Sequence, residues 1–350
     1  MKVKLSGISI KAISATYPKY EFDLNDLSSK YGEIEVKRII NSTGINKIRY
    51  APLGMCTSDL CEKSAREIFR ELSIDPLSID GIVFVSQTFD HQIPATSVIL
   101  QNKLGISKTA VAFDIRYGCS GYIYGLYQAS LLISSGSCSK VLVCVGDVST
   151  QIIHPDDKAL RMVMGDAGSC TLVESGNGEM AFNIKSDGSG FEFLIIPAGG
   201  CRYPSDEKSS IATAREDGNI RSDENLFMDG MEIMNFCLRE VPPIINELLS
   251  YIGWTKEEVG VFALHQANKF ILEYLQKKLK VSKVVVPVAI QNTGNTGPAS
   301  IPLMLALEHK RLQSEMRLEK SILCAFGVGL SWGAIGVDLS KTIIIGPSEL

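Results

Sequence analysis

Metal-ligand spacing, charge of one sign and membrane-length apolar runs are all missing from this 350-residue chain. Its nine cysteines are an odd number, scattered without metal-ligand spacing, and Cys56 and Cys61 stand too isolated to form a zinc site. A reducing cytoplasm with free thiols is the simplest reading. Thirty-five Lys and Arg against 39 Asp and Glu leave a net charge of −4. No nucleic-acid partner is therefore expected, and an acidic partner would need a local basic patch. The uncharged run Ser321–Val337 is interrupted by four glycines and falls short of about 20 residues, so two buried strands joined by a loop explain it better than a membrane helix. Met1-Lys2-Val3-Lys4 leads into alternating residues instead of the apolar core of a signal peptide.

What is present describes an ordinary folded enzyme. Hydrophobic residues make up 45% and charged residues 21%, which excludes wholesale disorder and supplies a core for one large domain or two halves. Strand patterns fall at Gly81–Ser86, Val111–Ile115, Lys140–Gly146, Ser169–Glu174, Val261–Leu264, Val284–Val288, Ile322–Phe326 and Ala334–Leu339. Helical spacing covers Asp59–Leu72, Ala95–Leu104, Tyr122–Ser134, Met228–Tyr251 and Phe270–Leu279. Their alternation predicts an α/β protein with parallel strands and helices packed on them. The polar segment Arg202–Glu224 reads as a solvated surface loop, with a flap as the alternative.

The chemistry-bearing stretch is Asp114-Ile115-Arg116-Tyr117-Gly118-Cys119-Ser120-Gly121, which sets a cysteine where a strand turns into a helix. Gly118 and Gly121 relieve the steric limits of that turn. Unpaired N–H groups at the helix start favour a thiolate, and such settings lower a cysteine pKa from about 8.5 to roughly 3.5–7.5. Two polar clusters in the second half strengthen the case for a nucleophile. Val261–Asn268 is a strand ending in His265, and Asn292–Ser300 is a glycine-rich loop opening a helix. They supply an imidazole and an amide donor that an acyl-cysteine enzyme could use. The loop Phe326-Gly327-Val328-Gly329-Leu330-Ser331-Trp332-Gly333 offers backbone N–H groups to a reacting carbonyl.

Gly118-Cys119-Ser120-Gly121, His265-Gln266-Ala267-Asn268, Gly294-Asn295-Thr296 and Phe326-Gly-x-Gly-x-x-Trp332-Gly333 together resemble the β-ketoacyl-acyl-carrier-protein synthase III family of the thiolase superfamily. Thr43-Gly44-Ile45, Gly165-Asp166-Ala167-Gly168 and Met228-Asp229-Gly230-x-Glu232 extend the match from near residue 43 to near 337. The resemblance implies a thiolase-like five-layer αβαβα fold of two pseudo-equivalent halves, residues 1–176 with the cysteine and 177–350 with the histidine and asparagine, and a homodimer. It implies Cys119 as nucleophile, His265 and Asn295 as donors to the developing enolate, and Phe326 lining the site. The Cys119 and Gly327–Gly329 N–H groups would form the oxyanion hole. The reaction implied is decarboxylative condensation of an acyl thioester with malonyl-acyl carrier protein, with no metal and no cofactor.

The binding side departs from the family pattern. Arg38 and Ser42 stand where many members place a tryptophan and an arginine against the coenzyme A adenine, and Lys158 stands where another arginine often sits. Asn268 is grouped with these binding positions. For carrier-protein docking, Lys269, Lys277, Lys278 and Lys280 form a basic patch after His265, which a solvated lysine face explains equally well. Phe270 occupies a frequent docking-arginine position. A thiolase would need a second catalytic cysteine at the C-terminal glycine loop, and Cys324 lies before that loop in a presumed strand. The alternative function is transfer of the acyl group to an alcohol or amine in a specialised natural-product or glycoconjugate pathway; retention of both donors argues against it and the altered Arg38/Ser42 region argues for it.

Overall fold

The computed structural model describes residues Met1–Leu350. Its framework strands are β1 (Lys2–Tyr17), β2 (Gly81–Val85), β3 (Val111–Ile115), β4 (Lys140–Asp147), β5 (Ala167–Ser186), β6 (Val261–Leu264), β7 (Ser321–Gly327) and β8 (Ser331–Val337). The principal helices are α1 (Glu33–Thr43), α2 (Thr57–Leu72), α3 (Thr96–Leu104), α4 (Gly121–Ser134), α5 (Gly230–Ile252), α6 (Lys269–Leu279) and α7 (Ser300–Leu307).

The strands form two sheets that share a ribbon. One sheet runs β3-β2-β4-β5-β1 and uses Ala167–Glu174 of β5; the other runs β6-β7-β8-β5-β1 and uses Met180–Ser186. Pairing within β2, β3 and β4 is parallel, as is β6 with β7, while β5 and β8 run antiparallel to their neighbours. The register of β1 against β5 shifts between Ser6 and Ile8 and between Ile10 and Ala12. Such bulges bend and twist a strand pair, which lets this ribbon pass from one sheet to the other. The proposed division at 176/177 falls inside β5, where pairing changes from β4 to β8.

Burial defines the layers. Cys61, Ile68 and Leu100 of α2 and α3 pack on one outer face against Ile82 and Leu142. Tyr122, Leu126, Ile301 and Met304 of α4 and α7 fill the space between the sheets, touching Val143 on one side and Leu323 on the other. Phe236, Ile244, Ile271 and Leu272 of α5 and α6 cover the opposite outer face over Phe262 and Ile322. Five layers, αβαβα, result. The middle helix α4 is apolar nearly all round because it faces a sheet on both sides.

Two expectations need correction. Val284–Val288 is not a strand, and only a 3-10 turn forms at Lys283–Val285. Gln266 takes the backbone groups a ladder would need: its amide donates to Pro287 O at 3.2 Å and accepts from Ala289 N at 3.0 Å. The Arg202–Glu224 segment is not simply solvated. It carries a short hairpin, Thr213–Ala214 with Ile220–Arg221, and the buried Arg221 guanidinium bonds Asp217 at 2.8 Å and Asp157 at 3.4 Å. The alternation after Met1 becomes β1, a 16-residue strand not among those expected.

Candidate active site

Cys119 and His265 follow the carboxyl ends of β3 and β6, and Gly327 is the carboxyl-terminal residue of β7, the edge at which open α/β sheets place their ligands. The Cys119 turn closes with Gly121 N–H donating to Gly118 O at 2.7 Å. Its glycines serve close approach rather than an unusual φ. A methyl at Gly121 would stand 2.7 Å from Val85, and one at Gly118 would meet Gln87 Oε1 and lie 2.7 Å from Val328. Gly327 lies as close: a Cβ there would sit 2.7 Å from Cys119 Cβ and 3.1 Å from Sγ. Ser120 Oγ meets Ser331 Oγ at 2.6 Å, and Ser331 donates to Val328 O at 2.6 Å, tying the turn to the loop after β7.

His265 is fixed from both ends. Its backbone N–H donates to Cys324 O at 2.8 Å, and its ring nitrogen Nδ1 meets Ser300 Oγ at 2.6 Å. Ser300 Oγ also accepts the Gln266 N–H at 3.3 Å. With one lone pair so used, the hydroxyl proton is satisfied only by donation to Nδ1. That choice leaves the proton on Nε2, the nitrogen that can face the cavity as a donor. The Phe326 ring lies edge-on to the imidazole, with centroids 5.4 Å apart at 84°. Burial in these surroundings lowers the imidazole pKa to about 3, so it is neutral at any working pH.

Asn295 is positioned by the same logic. Its N–H donates to Val163 O at 2.8 Å and its carbonyl accepts from Gly165 N at 2.9 Å. Side-chain Oδ1 accepts the Gly297 N–H at 3.1 Å, which turns the Nδ2 donor the other way. Cys119, His265, Asn295, Phe326 and Gly327 line one cavity. Its remaining wall is largely apolar, with Leu160, Leu194, Leu226, Met228, Ile233 and Ile271 among the lining. A neutral imidazole and an amide, both presented as donors beside a thiol, suit an acyl carbon and a developing enolate oxygen.

The resting thiol differs from expectation. Cys119 opens onto the cavity, but burial of its sulfur pushes the thiol up to about 12; the buried Asp147 carboxyl adds to the push and a backbone N–H opposes it. Desolvation outweighs the helix N-terminus because no lysine or arginine lines the cavity to offset it. Cys119 and His265 therefore rest as neutral thiol and neutral imidazole, not as an ion pair.

The other predicted residues scatter. Val328 and Gly329 line a neighbouring cleft with Arg116 and Tyr117, while only Gly327 of that trio reaches the cavity. Asn268 lines the cavity and also caps α6, its Oδ1 accepting Ile271 N–H at 2.8 Å. Arg38 and Lys158 converge on one carboxylate: Glu35 is 2.9 Å from the guanidinium and 3.0 Å from the ammonium. Those two bonds, Arg38 first, pull the Glu35 carboxyl down to about 2. Lys277 and Lys278 are exposed on α6 and make no ion pair, and Phe270 beside them is 51% exposed. Cys324 is fully buried in β7, away from the loop tip where a thiolase would need it.

Asp147, Ser300 and Gln87 were not anticipated. Asp147 has a sequence signal: it is the single acid closing the apolar run Val141–Gly146, at the carboxyl end of a buried strand. Ser300, first residue of an apolar helix, has none, since its partner lies 35 positions away.

No helix is long and apolar enough to cross a membrane. Family models for 3-oxoacyl-[acyl-carrier-protein (ACP)] synthase III and its C-terminal region match residues 113–188 and 249–339. A putative 3-oxoacyl-[acyl-carrier-protein] synthase 3 from Campylobacter jejuni is 32% identical, with each chain covered in full. A β-ketoacyl-[acyl-carrier-protein] synthase III from Caldanaerobacter subterraneus is 32% identical over 87% of this chain and 89% of its own. The crystal structure of a 3-oxoacyl-(acyl-carrier protein) synthase from Burkholderia xenovorans superposes with a TM-score of 0.92 at 33% identity, covering 100% of this chain and 99% of that one.

Proposed function

Because the chain belongs to the 3-oxoacyl-[acyl-carrier-protein] synthase III family and has its thiolase-like fold, we propose that it condenses an acyl thioester with malonyl-acyl carrier protein through an acyl-Cys119 intermediate. One observation carries this reading. The cavity sets a thiol opposite two groups whose own hydrogen bonds make both of them donors, His265 through Ser300 and Asn295 through Gly297. Cys119 sulfur attacks the acyl carbonyl, a new thioester forms and the donor thiol leaves. The N–H groups of Cys119 and Gly327 stabilise the tetrahedral oxyanion. Malonyl thioester then enters; its carboxylate departs as carbon dioxide, and the electron pair of that C–C bond becomes an enolate. His265 Nε2–H and Asn295 Nδ2–H hold the enolate oxygen, and Phe326 keeps water from the departing carboxylate. The enolate carbon attacks the acyl-Cys119 carbonyl, expels the Cys119 thiolate and yields a β-ketoacyl thioester; the thiolate takes up one proton from solvent to restore the resting thiol. No step calls for a metal or redox cofactor.

The donor is best read as a carrier-bound or small thioester, because the two cations at the coenzyme A positions already share Glu35. The unpaired Lys277 and Lys278 supply the docking face for an acidic carrier protein. The outer edge of β3 is unpaired, with Val111 40% exposed, so a homodimer joining these edges would remove an aggregation-prone strand edge. Fatty-acid initiation in the cytoplasm is the corresponding cellular role. Intact mass after exposure to mixed acyl-CoAs, then after malonyl-carrier protein, tests the reading. A Cys119 adduct that disappears into β-ketoacyl product is expected. An adduct that leaves only when an alcohol or amine is offered would replace condensation by simple acyl transfer.

A further inference from the structure

Acylation of Cys119 requires a proton to leave its thiol, and the two donors already described are poor destinations for it. His265 Nδ1 is occupied by Ser300 at 2.6 Å, and Nε2 carries the proton. Asn295 is an amide. Among the side chains on the cavity wall, Asp147, at the end of β4, is the one carboxyl; the second thiol there, Cys237, is pushed up by burial and offers no base.

The two oxygens of Asp147 have different surroundings. Oδ1 is saturated, accepting Gln87 N–H at 2.7 Å, the Ser86 hydroxyl at 2.8 Å and the Thr88 hydroxyl at 3.3 Å. Oδ2 accepts no hydrogen bond and borders Gly297, where a Cβ would come within 3.1 Å of it. Three donors on one oxygen fix the carboxyl plane and leave the other oxygen free toward the cavity. Any side chain at position 297 would cover it. Hydrogen bonds confined to a structural role would be expected to satisfy both oxygens of an acid that is only 2% exposed.

Resting on the acyl-Cys119 reading above, we propose that Asp147 accepts the Cys119 proton during acylation and returns it to the departing thiol. The sulfur–carbonyl bond to Cys119 forms as the S–H bond breaks toward Oδ2, directly or through one water. The acyl carbon–sulfur bond of the donor then breaks, and Oδ2–H protonates the leaving thiolate. No charge is created or lost over the cycle. Burial pushes this carboxyl up to about 7, where a base is half ionised near neutral pH and so well matched to the task. The titratable groups around it are Cys119, His265 and Cys237 on the cavity wall and Cys61 on α2. Asp166, the next buried acid, is turned away to Ala51 and Thr150.

The test follows Cys119 acylation by intact mass, using S-acetyl-N-acetylcysteamine as the donor so that neither coenzyme A nor carrier binding intervenes. In the wild type the rate should rise about tenfold per pH unit below pH 7 and level above it, reflecting ionisation of one base. Asp147→Asn keeps an acceptor for Ser86, Gln87 and Thr88, and should slow acylation about a hundredfold while removing the bend. The Asn variant, once acylated by prolonged exposure, should be slowed far less in condensation with malonyl-carrier protein than in acylation; a merely structural role would slow both stages alike. Asp147→Glu, which retains the carboxyl, should restore part of the rate and a bend. Equal acylation rates in wild type and Asn variant, or a wild type without the bend, would overturn the proposal. A Cys119 adduct that forms with the bend but never condenses overturns the condensing reading and leaves the role of Asp147 standing. Absence of any adduct on the wild type overturns both.

Discussion

The two walls of the cavity treat polar groups in opposite ways. On the wall from the first sheet, burial raises Cys119 to about 12 and Asp147 to about 7, so both hold protons more tightly than free groups do. On the wall from the second sheet, the same desolvation lowers His265 to about 3 and strips its charge. One physical cause, exclusion of water, thus makes one side a place where protons are exchanged and the other a place where fixed N–H donors are presented. The difference rests on partners: Asp147 keeps one oxygen free, whereas the hydrogen bonds of His265 and Asn295 are committed so that only donors face inward.

Loss of a donor should separate the walls most sharply. Asn295→Ala should reduce malonyl decarboxylation by about 10²–10³-fold, the usual cost of one oxyanion donor, while the rate of Cys119 acylation stays within about twofold. Decarboxylation measured with labelled malonyl thioester checks this, and equal losses in both half-reactions would erase the distinction. Ser300→Ala should cost less, about tenfold in condensation, because His265 survives but its tautomer is no longer fixed. Nitrogen-15 shifts of the imidazole should show proton density moving onto Nδ1, and Ser300→Thr should restore both the shift and the rate.

The charge state of His265 also predicts a stability effect. Its folded pKa lies below the unfolded value near 6.5. Between those values the unfolded chain binds the extra proton, so this group lowers stability as pH falls from about 6.5 toward 3. Urea midpoints of His265→Gln should decline less steeply over that window than those of the wild type; parallel declines would contradict a buried neutral imidazole.

Outside the cavity a second contrast is open to weaker perturbation. Lys277 and Lys278 are free of ion pairs, whereas Arg38 and Lys158 are held by Glu35. Lys277→Glu with Lys278→Glu should raise the carrier-protein KM several-fold, more so at low salt, and leave acylation by a small thioester unchanged. Glu35→Gln should lower the KM for acyl-CoA by only about two- to threefold, since exposed ion pairs are worth little. No change in either KM would remove these surfaces from the binding path.

Much of the architecture is legible in local pattern. The run Val141–Gly146 is apolar and β-branched, and it becomes a central strand; Asp229 before an apolar period becomes the cap of α5, accepting Met231 and Glu232 N–H groups at 3.1 and 3.0 Å. Val284–Val288 carries the same strand composition yet fails to pair, because Gln266, 21 residues away from Pro287, captures the backbone there. The Arg202–Glu224 segment reads as solvated until Arg221 finds Asp157, which is 64 residues distant.

The order of Cys119 in a strand-to-helix turn, His265 at a strand end and Asn295 in a glycine-rich loop before a helix is written in the linear chain because strand, turn and helix starts are made by neighbours in sequence. Their ionisation is not. The helix-start position of Cys119 argues for a thiolate, and only the packed cavity, with its apolar wall and the Asp147 carboxyl, makes the resting group a thiol. The same holds for the direction of the His265 proton, decided by Ser300, and for the pairing of Arg38 with Lys158 through Glu35. Local geometry depends on short-range sterics and hydrogen bonding, whereas charge state depends on how much water the distant parts of the chain exclude.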